Sequence, residues 1–186
     1  MALRLFLEHG YTGATVEAIA GAAGVSAATV YKSYGGKSAL IRELCSRALA
    51  GEGAAPAEER SNALRASGDG REVAEGWGAL AAEVSPRISP LLLLLRTAAA
   101  SDADAAGLYD ELDAARLARM ADNARFLAGA GHLRPGLTAA TARDVLWFCT
   151  SPEAYELLAV RRGWSAARFG RFVADTIAGT LLRDGA

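Results

Sequence analysis

Residues 15–37 read Thr15-Val16-Glu17-Ala18-Ile19-Ala20-Gly21-Ala22-Ala23-Gly24-Val25-Ser26-Ala27-Ala28-Thr29-Val30-Tyr31-Lys32-Ser33-Tyr34-Gly35-Gly36-Lys37. Thr15 is placed to cap a short helix in which Val16, Ile19, Ala20 and Ala23 recur at i, i+3, i+4 and i+7, the spacing of one buried face. Gly24 stops that helix, because glycine takes a positive φ without steric cost. The turn is expected to direct Val25 inward and to let Ser26 cap a second short helix whose Val30 faces the first. Ala20 is small enough for the two axes to approach closely where they cross. The pattern is a helix-turn-helix.

In such a motif the second helix enters the major groove of DNA, which leaves Ala27, Ala28, Thr29, Tyr31 and Lys32 as its outward residues. Small side chains at Ala27 and Ala28 permit close approach and contact with thymine methyls, and Thr29 can bond a base edge or a phosphate. Tyr31, Tyr34 and Lys37 read as phosphate contacts, which fix register and supply salt-dependent affinity. Lys37 also opens a helix, so its ammonium and the free N–H groups of that first turn can hold one phosphate together. Thr15 and Ser26 are explained as caps whatever the function, with DNA contact as a second role.

Outward from this motif, the 186 residues are 52% hydrophobic and 22% charged, enough to bury a core without disulfides or metal. Lys and Arg number 20 against 21 Asp and Glu, so the chain is no polycation and any nucleic-acid contact must be local. Cys45 and Cys149 stand far apart with no CxxC spacing, and His9 and His132 have no ligand partners at helical spacing, which argues against zinc and against a disulfide framework. No cofactor is implied. The longest apolar run, Pro90 to Leu95 continuing past Arg96, falls short of the roughly 20 residues that span a bilayer. With no signal-peptide pattern at the start, a cytoplasmic protein is expected.

Alanine, leucine and arginine dominate and nothing alternates with period two, so the expected fold is all-α. The Gly-rich stretch of residues 50–70 marks a boundary between a DNA-binding domain, 1–50, and a larger helical domain, 51–186. Punctuating residues in the latter predict helices over Gly70–Val84, ended by Ser85-Pro86, over Pro90–Ser101, and over Asp104–Ala130. Further helices follow Thr138, Ser151-Pro152 and Ser165.

Phe6-Leu7-Glu8-His9-Gly10-Tyr11, Thr15 to Ala20, Ala23 to Ser26, Thr29 to Lys32, Tyr34 and Lys37 to Leu40 together resemble the tetracycline-repressor (TetR) family of transcriptional regulators. Asp144 to Phe148, Thr150 to Tyr155 and Arg162 to Ser165 are similar to a C-terminal pattern of one branch. The resemblance implies three N-terminal DNA-binding helices, a ligand-sensing domain, dimerisation through two C-terminal helices, and repression from a palindromic operator that a small molecule relieves. It places Thr15, Thr29, Tyr31 and Lys37 at positions that touch DNA, and residues 26–32 in the recognition helix. The sequence departs from the family's pattern in a first helix reduced to Ala2–Glu8, in Tyr34 where phenylalanine is commoner, and in Gly36 where a polar cap is usual.

Trp77, Tyr109, Met120, Phe126, Trp147, Phe148 and Tyr155 are candidates to line a largely apolar effector cavity; plain core is the other reading of each. Phe169, Phe172, Val173, Thr176, Ile177, Thr180 and Leu181 form a stripe that reads as a homodimer seam or as intradomain core. No nucleophile beside a base and no phosphate loop indicates an enzyme. The rival to a DNA-binding repressor is a helical ligand-binding or scaffold protein that has lost DNA binding through the short first helix.

Overall fold

The computed structural model describes residues 1–66 and 68–185. Among them there is no strand, only an isolated bridge between Leu133 and Leu182, and the all-α expectation holds. The helices are α1 (Ala2–Gly13), α2 (Val16–Ala23), α3 (Ala27–Tyr34), α4 (Lys37–Ala50), α5 (Ala57–Ala63), α6 (Gly70–Ala98), α7 (Ala103–Gly129), α8 (Ala139–Cys149), α9 (Pro152–Tyr155) and α10 (Ala166–Leu181). A 3-10 turn, Leu64–Ala66, follows α5, and α9 runs on into a π-helical segment, Glu156–Arg161. Side-chain caps predicted from sequence are in place: Thr138 accepts from Thr141 N–H at 3.1 Å, Ser151 from Ala154 N–H at 3.1 Å, and Ser165 from Arg168 N–H at 3.2 Å.

The chain divides into two compact units. The first comprises residues 1–48 and 90–112. Phe6 and Tyr11 stack in it at 6.2 Å, across the bend that Gly10 makes with φ 72°. Ile19, Val30, Leu40, Ile41 and Cys45 are buried in this unit, as are Leu91, Leu95 and Leu108 from the later segment.

The second unit comprises residues 49–89 and 113–185. Its core contains Val73, Trp77, Leu127, Leu146, Phe169, Val173, Ile177 and Leu181. Helices α6 and α10 cross at glycines: a Cβ on Gly78 would meet Gly170 O at 2.5 Å, and one on Gly170 would meet Gly78 O at 2.5 Å. Glu83 of α6 ties down the loop before α5, accepting from Arg60 at 2.7 and 2.8 Å and from the Glu52 N–H at 2.6 Å.

One expectation is overturned in α6. Ser85-Pro86 was expected to end a helix and Pro90 to open another, yet a single helix of 29 residues passes through both prolines. Each proline lacks an N–H and crowds the preceding turn, at a cost of about 3 kcal/mol in a helix interior. Ile88, Leu91, Leu92 and Leu95 are buried along the continued helix, and burying a side chain of that size stabilises by about 1.5–3 kcal/mol each, which offsets the two prolines. The continuous helix is long and apolar enough to cross a membrane by length and composition, unlike the short run read from sequence. Of its most apolar window 44% is buried inside the molecule.

Candidate nucleic-acid interface and sensor site

The first unit builds its outward face from two capped helices. Thr15 Oγ1 accepts from Ala18 N–H at 3.1 Å, and Ser26 Oγ accepts from Thr29 N–H at 3.1 Å. Between them Gly24 sits in the left-handed region at φ 69°. Its N–H donates to Gly21 O at 3.2 Å and the Val25 N–H donates to Ala20 O at 3.0 Å, which closes α2 as a Schellman turn. Val16, Ile19, Ala20 and Val30 are buried as the spacing requires. Ala23 and Val25 are not: both are exposed, Val25 by 43%, because they flank the left-handed turn on its outer side.

The nine residues read from sequence as DNA-facing lie on the exposed or half-exposed side of this motif. Thr15, Ser26, Ala28, Thr29 and Lys32 are exposed, Ala27 and Lys37 are half-buried, and Tyr31 and Tyr34 are 50% and 40% exposed. Two large aromatic side chains beside a lysine thus keep about half of their surface in water. Two details were not legible in the sequence. The Thr29 and Ser26 hydroxyls bond each other at 2.9 Å, so the cap also orients the Thr29 side chain. The Lys37 ammonium sits 4.2 Å from the Tyr11 ring centroid, a cation–π contact that fixes it at the start of α4. Burial first, then Asp102 and Asp104, push the Tyr11 phenol up to about 12, so the ring that receives Lys37 is neutral at physiological pH.

Residues 1–44 match the family model described as bacterial regulatory proteins, tetR family. Over nearly its whole length the chain shares its fold with solved structures. SmeT in its triclosan complex is 19% identical with a TM-score of 0.75, covering 98% of this chain and 88% of that one. A protein of Saccharomonospora viridis in complex with choline is 18% identical with a TM-score of 0.71, covering 98% and 94%. The ketosteroid transcriptional regulator KstR2 of Mycobacterium tuberculosis is 18% identical with a TM-score of 0.59, covering 98% and 92%. No curated protein matches in sequence.

The residues proposed as cavity lining separate. Tyr109 belongs to the first unit, the other six to the second. Trp77 is buried, meets Phe126 edge-on at 6.4 Å and donates its indole N–H to Ser61 O at 3.4 Å. Met120 and Trp147 are half-buried, with the Arg116 guanidinium 4.6 Å over the Trp147 ring. Tyr155 packs edge-on against Phe169 at 5.1 Å, and Phe148 points out at 66% exposure.

The α10 stripe also divides. Phe169, Val173, Ile177 and Leu181 are buried in the unit's own core, and a side chain with no exposed surface in one chain has none to offer a second. Phe172 and Thr176 are half-buried and Thr180 is exposed on the adjoining face, where Phe172 and Thr176 join Trp164, Arg168, Arg171 and Asp175 around an open groove of about 460 Å³. Burial pushes the Cys45 thiol up to about 11 and the Cys149 thiol up to about 12, so both remain protonated core residues at neutral pH.

Polar residues that sequence reading passed over lie inside the second unit. Arg65, of the 3-10 turn, donates to Asn123 Oδ1 at 2.6 Å, and Asn123 is buried. Arg119 donates to Ser61 Oγ at 2.7 Å and Asn62 Oδ1 at 2.8 Å. A signal existed in the spacing: Arg116, Arg119 and Asn123 recur at i, i+3 and i+7, beside the apolar Met120, Ala124 and Leu127 rather than opposite them.

Proposed function

We propose that this chain is a ligand-responsive, DNA-binding transcriptional regulator, a homodimeric cytoplasmic repressor released from a palindromic operator by a small, largely apolar molecule. One observation carries the reading: residues 26–34 of a tetR-family domain present Ala28, Thr29, Tyr31, Lys32 and Tyr34 outward on a capped helix whose inward Val30 anchors it to α2. Ala27, Ala28 and Thr29 are the base-facing residues. Thr15, Ser26, Tyr31, Lys32, Tyr34 and Lys37 contact phosphate and hold the helix in register.

In a dimer the two recognition helices lie about 34 Å apart, one turn of B-DNA, and enter successive major grooves. The effector acts only by binding one spacing of those helices better than another, since equal affinity for both shifts nothing. Helices α6 and α7 contribute residues to both units and are the segments through which occupancy of the second biases the first. The triclosan- and choline-bound relatives support a small-molecule effector for this fold. The dimer face falls to the α10 side that bears Phe172, Thr176 and Thr180.

The test is fluorescence-anisotropy titration of the full chain with the intergenic DNA upstream of its own gene at several salt concentrations. The expected result is salt-dependent binding that Tyr31→Phe with Lys32→Ala weakens, lowering the slope of log K against log salt by about 1 for the lost lysine–phosphate contact. Binding that the double variant leaves untouched, or no binding to any duplex at low salt, overturns the reading.

A further inference from the structure

We propose that the effector site of the second unit takes an organic anion, an apolar body bearing a carboxylate, and that Arg65, Arg119 and Asn123 hold the carboxylate. The inference deepens the regulator reading and rests on it for the site's purpose. Two guanidinium groups converge here from different elements. Arg65 comes from the 3-10 turn after α5, and Arg119 from the middle of α7. Their acceptors are neutral oxygens: Asn123 Oδ1 for Arg65, and Ser61 Oγ, Asn62 Oδ1 and Glu58 O for Arg119. The Arg119 side chain is 19% exposed, and the carboxylate it approaches, Glu58 at 3.5 Å, is 73% exposed and so weakly coupled. The Arg65 Nε–H is buried and has no hydrogen-bond partner among the described residues.

Buried cations are ordinarily matched by an anion, and an orphaned buried donor is rare enough to need a reason. The fork of N–H groups on a guanidinium matches a carboxylate edge-on, two parallel bonds at a time. Burial first, and then the charge of Arg65, hold the Arg119 pKa below the usual arginine value, with Glu58 and Asp122 opposing them only in part. A carboxylate between the two would relieve both effects. Aromatic side chains adjoin the pair: Arg65 stacks 5.8 Å over the half-buried Phe126 ring, which meets the buried Trp77. Paired guanidiniums beside aromatic side chains are a combination that favours an amphiphilic acid over a neutral molecule of the same shape.

The experiment uses two matched pairs of probes, octanoate with octanol and 4-phenylbutyrate with 4-phenylbutanol. Affinities for the full chain are read from tryptophan fluorescence and from the rise in melting temperature. In the wild type each acid binds at least about tenfold more tightly than its alcohol. Arg119→Met and Arg65→Met erase that preference while leaving the alcohol affinity in place, and Arg119→Lys retains part of it. Far-ultraviolet circular dichroism shows which variants are folded, and Arg119→Lys decides the matter should a methionine variant unfold. Equal binding of acid and alcohol by the wild type, absence of binding by all four probes, or a preference that survives in both methionine variants overturns the proposal. The DNA titration separates the two readings. Release of DNA by the alcohols as readily as by the acids leaves the regulator standing and removes the anion site. An acid preference in a chain that binds no DNA does the reverse.

Discussion

Glu83 is a carboxylate whose role in the second unit can be read from its partners. The paired hydrogen bonds from Arg60 do most to lower its pKa, with the Glu52 N–H next, and together they hold it at about 2 against an ordinary 4.5. A depressed carboxylate stabilises the fold above the unfolded value and loses that contribution as pH falls toward the folded one, so the window is pH 4.5 down to 2. Glu83 and Arg60 are 24% and 29% exposed, so solvent screens part of the attraction and about 1–2 kcal/mol is the reasonable size at neutral pH. Glu83→Gln is expected to lose that amount at pH 7 and to flatten the acid limb between pH 4.5 and 3. Urea unfolding at four pH values measures both, and an unchanged acid limb would show that the pair contributes nothing.

Helix α10 shows what an element can and cannot reveal before its neighbours are known. Its start at Ser165 and its apolar stripe were legible, but not that the stripe splits between a buried core edge and an exposed flank, since helical period gives a face and not its occupant. Pro86 and Pro90 misled for a similar reason: local chemistry breaks a helix there, and burial of Ile88, Leu91 and Leu95 further along overrides it. The helix-turn-helix was the most legible part because Thr15, Gly24 and Ser26 act on the backbone within a few residues of themselves. Arg65 and Arg119 were the least, because an arginine on an amphipathic helix reads as a solvated face until a partner is seen. The contact between α6 and α10 gives a test at this scale. Gly170→Ala places a methyl against Gly78 O and is expected to destabilise by about 1–3 kcal/mol in urea unfolding. Gly179→Ala, on the same helix with open space at its Cβ, is expected to be neutral or to stabilise by up to about 1 kcal/mol. Equal effects of the two would mean that the crossing is looser than the backbone distance implies.

The chain as a whole is organised less sequentially than its composition suggests. A boundary near residue 50 makes the helix-turn-helix look like a detachable domain, yet the first compact unit draws residues 90–112 from α6, α7 and the turn between them. Those residues bring buried Leu91, Leu95 and Leu108, the Glu111 carboxylate that pairs with Arg42, and the Asp102 and Asp104 charges felt by Tyr11. A fragment ending at residue 50 would expose what these side chains cover, and four short helices without that cover have little to set against their conformational entropy. Fragment 1–50 is therefore expected to be mostly unfolded at 25 °C and to bind operator DNA at least about tenfold more weakly than the full chain at equal site concentration, a loss of about 1.4 kcal/mol or more. Circular dichroism melts of the fragment beside the full chain provide the measurement. A cooperative transition in the fragment at the temperature of the intact protein would show that the first four helices stand alone, and that residues 90–112 pack on them without supporting them.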